Sequence, residues 1–345
     1  MLSVPVVSST GKPLMPTSNL RANQLIAGGK ALRRFSKGVF YIRLTQRTDG
    51  DTQQVALGID PGSKKEGFTV KSATKTYLNI QADAVTWVKS AVETRRNLRR
   101  SRRNRNTPCR QNRSNRAIGN LPPSTKARFQ WKVRVAAWLS KLYPISRFVV
   151  EDIKAHCFGG RRWNKSFSPL QVGKKWFYSE LEKMAPVDTL QGYDTFKLRN
   201  DMGLKKTKAK MSEVFEAHCV DSWVLANYYV GGHTKPDNTE IMLITPLQFS
   251  RRQLHVQNFS KGGVRKQYGG TRSMGFKRGS WVRHSKHGLC FVGGSSKGRV
   301  SLHSLSDGKR ICQNAKFEDI TFLHFASWRA TLPPRPKVRG LRVAA

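Results

Sequence analysis

The sequence predicts an α/β core that is interrupted by a strongly basic helix and followed by a β-rich region. Three observations carry this prediction. Two compact apolar runs, VALGID at 55–60 and RFVVED at 147–152, end in acids and have the length and composition of buried strands. Between them, the stretch from Thr94 to Arg116 holds ten arginines and no acid. From Ser212 the chain reads SEVFEAHCVDSWVLANYYV, a helical core pattern in which His218 and Asp221, three residues apart, share a face.

At 345 residues, with 38% hydrophobic content and eight tryptophans, the chain can build two or three packed units; it is not a disordered basic tail. Lys and Arg number 63 against 21 Asp and Glu, a formal net charge of +42. A compact fold with that charge repels itself unless a polyanion neutralises it, so nucleic acid is the expected partner. Charge alone does not separate a ribosomal-type binding protein from an enzyme, and motifs must decide. Cys109, Cys157, Cys219, Cys290 and Cys312 are odd in number and form no CxxC pair, which argues against a zinc ribbon or a disulfide framework. The N-terminus has no signal-peptide pattern and no apolar run reaches the roughly 18 residues that span a bilayer, so a cytoplasmic protein with no membrane partner is expected.

Residues 1–20 read as a short β-like piece, a turn at Gly11, and then Pro13-Leu14-Met15-Pro16. Its two prolines are expected to block regular structure and form an apolar packing plug. Arg33, Arg34 and Lys37 lead into VFYIRLTQRT, which alternates as a strand does. Val55–Asp60, the turn Pro61-Gly62-Ser63 and the strand GFTVKS read as a buried hairpin with Asp60 at its mouth. An acid there bears a desolvation cost unless it meets a cation or hydrogen-bond donors, so Asp60 reads either as a metal ligand or as a cap on the turn.

From about Ala84 the pattern is helical through the arginine run; continued for about 30 residues, such a helix spans roughly 45 Å. Arg95, Arg96, Arg99, Arg100, Arg102, Arg103 and Arg105 fall on nearly every face, with only Leu98 apolar among them, unlike any amphipathic core helix. A solvated charge run mixes signs, whereas no Asp or Glu occurs from Thr94 to Val150. The run, extended by Arg110, Arg113 and Arg116, therefore reads as a polyanion contact, and arginine suits bidentate phosphate binding.

Pro122 and Pro123 end this region, and Ser124 or Thr125 is expected to cap a helix with Phe129, Val133, Ala136 and Ala137 on its packed face. The next strand ends in Glu151 and Asp152. Residues 156–211 are polar and basic, with one aromatic helix candidate, LQVGKKWFYSELEKM. Ser212 then reads as the N-cap of the His218 helix, with Val214, Phe215, Cys219, Val224 and Leu225 on its apolar side. A lone helical histidine is ordinarily a bonded core residue; an acid one turn away and two acids upstream make His218 a site candidate. After about Glu240, short apolar stretches broken by glycine imply a small β-barrel or sheet domain. Its candidate DNA contacts are Arg251, Arg252, Arg265, Lys266, Arg272, Lys277 and Arg278. The tail from Leu332 reads as flexible.

Hydrolysing a phosphodiester needs an activated water, a stabilised developing charge and a tolerated leaving oxygen, which two Mg²⁺ ions about 4 Å apart supply. Mg²⁺ prefers oxygen ligands, and Asp60, Glu151 and Asp221 are acids offered by three separate elements. His218 could orient or deprotonate the attacking water.

The ordered set GIDPG with Asp60, an arginine-rich helix, VVED with Glu151, and HCVD with His218 and Asp221 resembles the split RuvC nuclease of transposon-encoded, RNA-guided proteins. Within these it most resembles the IscB and IsrB group: KPLMP at 12–16 matches the motif that names that group's PLMP domain, and the arginine run matches its bridge helix. Specific motifs cover Lys12 to Tyr229, with a looser likeness to about Trp328. IscB carries an HNH nuclease between its second and third RuvC motifs, but only 66 residues separate Glu151 from His218 here, without the paired-histidine pattern. The resemblance is therefore to IsrB, the HNH-lacking relative.

That resemblance implies an α/β, RNase H-like (RuvC) split nuclease core: a PLMP domain at 1–54, RuvC part I at 55–85, the bridge helix at 86–120, and RuvC parts II and III at 121–235 with a short linker in place of HNH. A β-rich target-adjacent-motif-interacting domain at 236–331 and a flexible tail at 332–345 follow. It implies a catalytic site of Asp60, Glu151, His218 and Asp221, with two Mg²⁺ ions on the three acids and Mn²⁺ able to substitute. The implied partners are a structured guide RNA (ωRNA), gripped by the arginine run with one protein per RNA, and double-stranded target DNA in a prokaryotic cytoplasm and nucleoid. The implied activity is RNA-guided nicking of the displaced non-target strand. Two readings stand beside it: RNA-guided DNA binding without cleavage, and an unguided, structure-selective RuvC-type endonuclease.

Overall fold

The computed structural model describes residues 3–106, 121, 123–152, 171–248 and 271–331, with four two-residue strands between 253 and 269. It is a mixed α/β chain in two compact units, residues 1–34 with 40–241 and residues 35–39 with 242–345.

The first unit opens with β1 (Val4–Val7), β2 (Pro13–Thr17), α1 (Asn19–Ala27), β3 (Ala31–Ser36) and β4 (Val39–Leu44), in a sheet of order β2-β1-β4-β3. Contrary to expectation, the two prolines do not break regular structure. β2 pairs antiparallel with β1, Val6 opposite Leu14 and Val7 opposite Pro13. It is an edge strand, where a missing N–H removes no ladder bond on the open side. Leu14 is buried with Val4, Val6, Ala22, Ala31 and Ile42, so it fills the core of its own sheet. No helix is expected from the sequence at α1, which Ser18 caps by accepting from the Arg21 N–H.

β5 (Val55–Asp60), β6 (Lys65–Ser72) and β7 (Thr76–Asp83) form the expected hairpin, extended into an antiparallel meander. α2 (Val88–Asn104), α3 (Pro123–Leu139), β8 (Arg147–Asp152), α4 (Lys174–Glu182), β9 (Val187–Gln191), α5 (Gly192–Asp201) and α6 (Phe215–Val230) complete the unit. β8 runs parallel to β5 and β9 parallel to β8, giving the order β7-β6-β5-β8-β9 within this unit. All six residues of β5 are buried, as in a central strand covered on both faces.

Three helices differ from expectation. α2 has 17 residues, about 25 Å, rather than about 30 residues: it ends at Arg105, and Asn106 turns the chain with a φ of 50°. α3 starts on Pro123, which is tolerated in a first turn whose N–H groups have no helical partner. It buries Phe129, Trp131, Lys132, Val135, Ala136, Trp138 and Leu139, whereas Val133 and Ala137 are only half-buried. α6 begins at Phe215, not after Ser212; the Ser212 hydroxyl donates to the Ala209 carbonyl instead, and Val214 is exposed.

Two glycines let α6 lie directly on the sheet. A Cβ on Gly58 would stand 1.8 Å from the Ser222 carbonyl oxygen, and one on Gly67 2.3 Å from that of His218. Both obstacles are helix backbone. Gly58→Ala is therefore expected to cost about 3 kcal/mol or more, read as a lowered thermal midpoint.

The second unit contains β10 (Ile241–Pro246), the short strands β11 (Gln253–Leu254), β12 (Gln257–Asn258), β13 (Gly263–Val264), β14 (Tyr268–Gly269), β15 (Arg272–Ser273) and β16 (Phe276–Lys277), and six longer ones. These are β17 (Ser280–His284), β18 (Gly288–Ser296), β19 (Arg299–Ser304), β20 (Arg310–Ala315), β21 (Ile320–Phe325) and β22 (Trp328–Thr331). β22 pairs antiparallel with β10. Of the barrel and sheet forms expected, the described residues show an open antiparallel sheet of order β20-β19-β18-β17-β21 over Val282, Cys290, Val292, Val300 and Leu302. Cys219, Cys290 and Cys312 are free thiols. No described helix is long and apolar enough to cross a membrane.

Candidate active site

The register of two strands places the first two acids. Ile59 lies opposite Val150 in the parallel β5·β8 ladder, so Asp60 and Glu151 follow side by side at the C-terminal ends of neighbouring strands. Successive strand residues face opposite ways. Asp152 is accordingly taken by Lys174 Nζ of α4 at 2.7 Å and is no partner of Asp60. The close seat of α6 on Gly58 and Gly67 brings in the third element, with His218 Nδ1 3.7 Å from Asp60 Oδ2. At that separation the contact is electrostatic rather than a hydrogen bond.

The cluster is crowded with negative charge. Burial, the adjacent Asp60 charge, a hydrogen bond with Asp60 and the charge of Asp221 together push the Glu151 carboxyl up to about 9. This favours the protonated form of Glu151, the form that can donate to Asp60. Burial also works to raise Asp60, but His218, the Lys206 charge and the Glu151 carboxyl outweigh it and hold Asp60 below the usual range.

Two cations that the sequence does not single out complete the site. Lys206 Nζ donates to Asp221 Oδ2 and lies 3.8 Å from Asp60 Oδ2, while Arg199 of α5 donates to Asp221 Oδ1. Burial disfavours the Lys206 ammonium, yet Asp60 and Asp221 hold its pKa above the ordinary value. Their only sequence signal is a basic stretch just before the His218 helix. Among the described residues no group of three or more His, Cys, Asp or Glu is spaced to hold a metal ion, and the Lys206 ammonium reaches both Asp60 and Asp221.

Across the sheet from α6, Glu66 and Lys132 form a second unanticipated pair at 2.6 Å, 0% and 1% exposed. Among the described residues Glu66 Oε2 meets no hydrogen-bond partner. Burial outweighs Lys132 and pushes the Glu66 carboxyl up to about 7. Because the folded state holds this proton more tightly than the unfolded chain, the contribution is fully present below about pH 4.5 and is lost as pH rises through about 7. Lys132→Met, which leaves the acid buried alone, is expected to cost about 3–5 kcal/mol at pH 8 and clearly less at pH 5, measured by denaturant unfolding at both pH values.

The remaining candidates lie apart from this cluster in the chain. Arg96, Arg99, Arg100, Arg103 and Arg105 are exposed on or at the end of α2, with Arg95 and Arg102 half-buried. Val88 is the helix's only buried residue, and even Leu98 is exposed. Arg272 and Lys277 are exposed and Arg278 half-buried in the second unit. Arg110, Arg113, Arg116, Arg251, Arg252, Arg265 and Lys266, with Cys109, Cys157 and the tail from 332, lie outside the described residues.

A family model described as RRXRR protein matches residues 4–157, a span that contains Asp60, Glu151 and the string Arg99-Arg100-Ser101-Arg102-Arg103. No curated protein matches. Among solved structures, T. thermophilus RuvC in complex with a Holliday junction substrate is similar over 52% of this chain and 98% of that one, at 12% identity and a TM-score of 0.29.

Proposed function

We propose that this chain is an RNA-guided DNA nickase of the IsrB kind with an RNase H-like (RuvC) core. It holds a structured guide RNA, pairs the guide with target DNA beside an adjacent motif, and hydrolyses the displaced strand. What supports this reading is that Asp60 and Glu151 lie side by side at the C-terminal ends of two parallel strands, with His218 of α6 3.7 Å from Asp60 and Lys206 reaching both Asp60 and Asp221. Ligand sites of open α/β sheets lie at such ends. The matched family model supports it, since RRXRR proteins are associated with IscB-type nucleases. In this reading residues 1–54 are the PLMP domain, α2 is the bridge helix and 236–331 is the target-adjacent-motif-interacting domain.

The donor set suits Mg²⁺ or Mn²⁺ in kind: three carboxylates supply hard oxygens, and burial, with the charges of Asp60 and Asp221, raises the Glu151 carboxyl. When bound, the metal would neutralise that charge and acidify a water. His218 is already tied down for a proton-transfer role. Its Nε2 lies 2.9 Å from the Lys210 carbonyl, which can only accept, so Nε2 carries the hydrogen and Nδ1 is the nitrogen left to take a proton from water. Asp60 and Asp221 hold negative charge where the cations collect, and Lys206 must give way for all three acids to share a metal.

That same lysine favours the second reading, guided binding without cleavage, because both oxygens of Asp221 are already engaged by cations. Sequencing the RNA that copurifies with the protein tests the guided part of both readings. A single structured species with a variable guide segment is expected; a heterogeneous pool contradicts guidance.

A further inference from the structure

A second surface, in the β-rich unit, has the chemistry of a base-binding site. Met274, Phe276, Phe317, Phe322 and Phe325, with Arg272 and Lys277, line a cavity of about 510 Å³. This lies within the roughly 300–1,000 Å³ of small-ligand clefts. The half-buried Phe276 is anchored on the core beneath and forms the floor. Its ring meets Phe317 at 5.2 Å and Phe322 at 6.3 Å between centroids, the latter pair 21° from parallel. Yet Phe317, Phe322 and Phe325 remain 48%, 52% and 42% exposed, a cost a monomeric surface does not usually bear.

The charge around this cavity selects the occupant. From residue 242 to 331 Lys and Arg number 16 and Asp and Glu three. Glu318 and Asp319 adjoin Phe317 in sequence, but among the described residues no acid lines the cavity. Lys277 Nζ lies 5.3 Å from the Phe325 ring centre and Arg272 is exposed beside it, so cations rim an apolar interior. A phosphate would be held at such a rim and excluded from the interior; a flat, uncharged ring would enter. Aromatic platforms beside basic residues bind unpaired bases in this way. A base in duplex DNA must first be flipped out at a cost of a few kcal/mol, whereas the loops and bulges of a bound RNA present bases already unstacked before any DNA strand is displaced.

We infer that this cavity captures an unpaired base of a structured RNA, the base stacking among Phe276, Phe317 and Phe322 while Arg272 and Lys277 hold the adjoining phosphates. The inference rests on the reading that the protein carries such an RNA, and it is independent of cleavage.

The test uses the full chain and an RNA hairpin carrying one bulged 2-aminopurine, beside a fully paired RNA hairpin and a bulged DNA hairpin. The bulged RNA is expected to bind about tenfold more tightly than the paired one, with its fluorescence quenched by stacking. Phe317→Ala with Phe322→Ala should erase both the preference and the quench, and Phe322→Trp should retain them. Both positions are exposed, so an unchanged melting curve is expected for each variant. Equal binding of bulged and paired RNA overturns the inference, as does a double variant that keeps the quench or a bulged DNA bound as well as the RNA. Failure to bind either RNA would instead overturn the guide reading itself, and this site with it.

Discussion

The Asp60→Asn protein is expected to keep its fold and its guide-directed grip on DNA while losing strand cleavage by roughly 10⁴-fold or more. The side chains are nearly isosteric, and the carboxylate is buried at the end of a central strand, so the change removes charge with little change of shape. Lys206 keeps Asp221 as its close partner. Glu151 loses one of the neighbours that raise its pKa, so its carboxyl should move back toward the ordinary range. The variant thus separates two roles that a structural acid would confound. Cleavage is followed on a labelled duplex, binding by gel shift and stability by thermal melting; retained cutting would remove Asp60 from the site.

Replacing Arg99, Arg100, Arg102 and Arg103 together with Gln is expected to weaken RNA binding by roughly 100-fold or more at low salt. The fold should survive. α2 buries only Val88, and Gln is a good helix former. The sharper readout is the salt dependence. Each phosphate that an arginine no longer neutralises flattens the slope of log K against log salt by roughly 0.7 to 0.9, so the fourfold variant should flatten it by about 3 to 4. A weaker affinity with an unchanged slope would mean that the run supports the fold rather than touching RNA.

What could be read in the sequence follows from whether the governing interaction is local. VALGID and RFVVED announce buried strands because a strand covered on both faces is apolar throughout, and an acid at such an end is conspicuous. HCVD places His218 and Asp221 on one face by helix geometry alone. Strand β2 escaped because its prolines are tolerated only at a sheet edge, and being an edge is a property of the assembled sheet. Lys132 sits among aromatic residues in α3 and would pass for a solvated lysine until Glu66, 66 residues away, is seen beneath it. Lys206 and Arg199 were invisible for the same reason: one basic stretch looks like another until Asp221 closes on it. Gly58 and Gly67 read as ordinary strand residues, and only the seated helix shows that any side chain there would strike backbone.

That one active centre, built on Asp60, Glu151, His218 and Asp221, cuts one strand under RNA guidance is tested most directly with a guide-matched duplex labelled separately on each strand. The protein, its copurified RNA and Mg²⁺ are presented with that duplex. Cuts in the displaced strand alone, abolished by chelating the metal and absent from an unmatched duplex, are the predicted result; cuts in the target strand, or in duplexes the guide does not match, would contradict it.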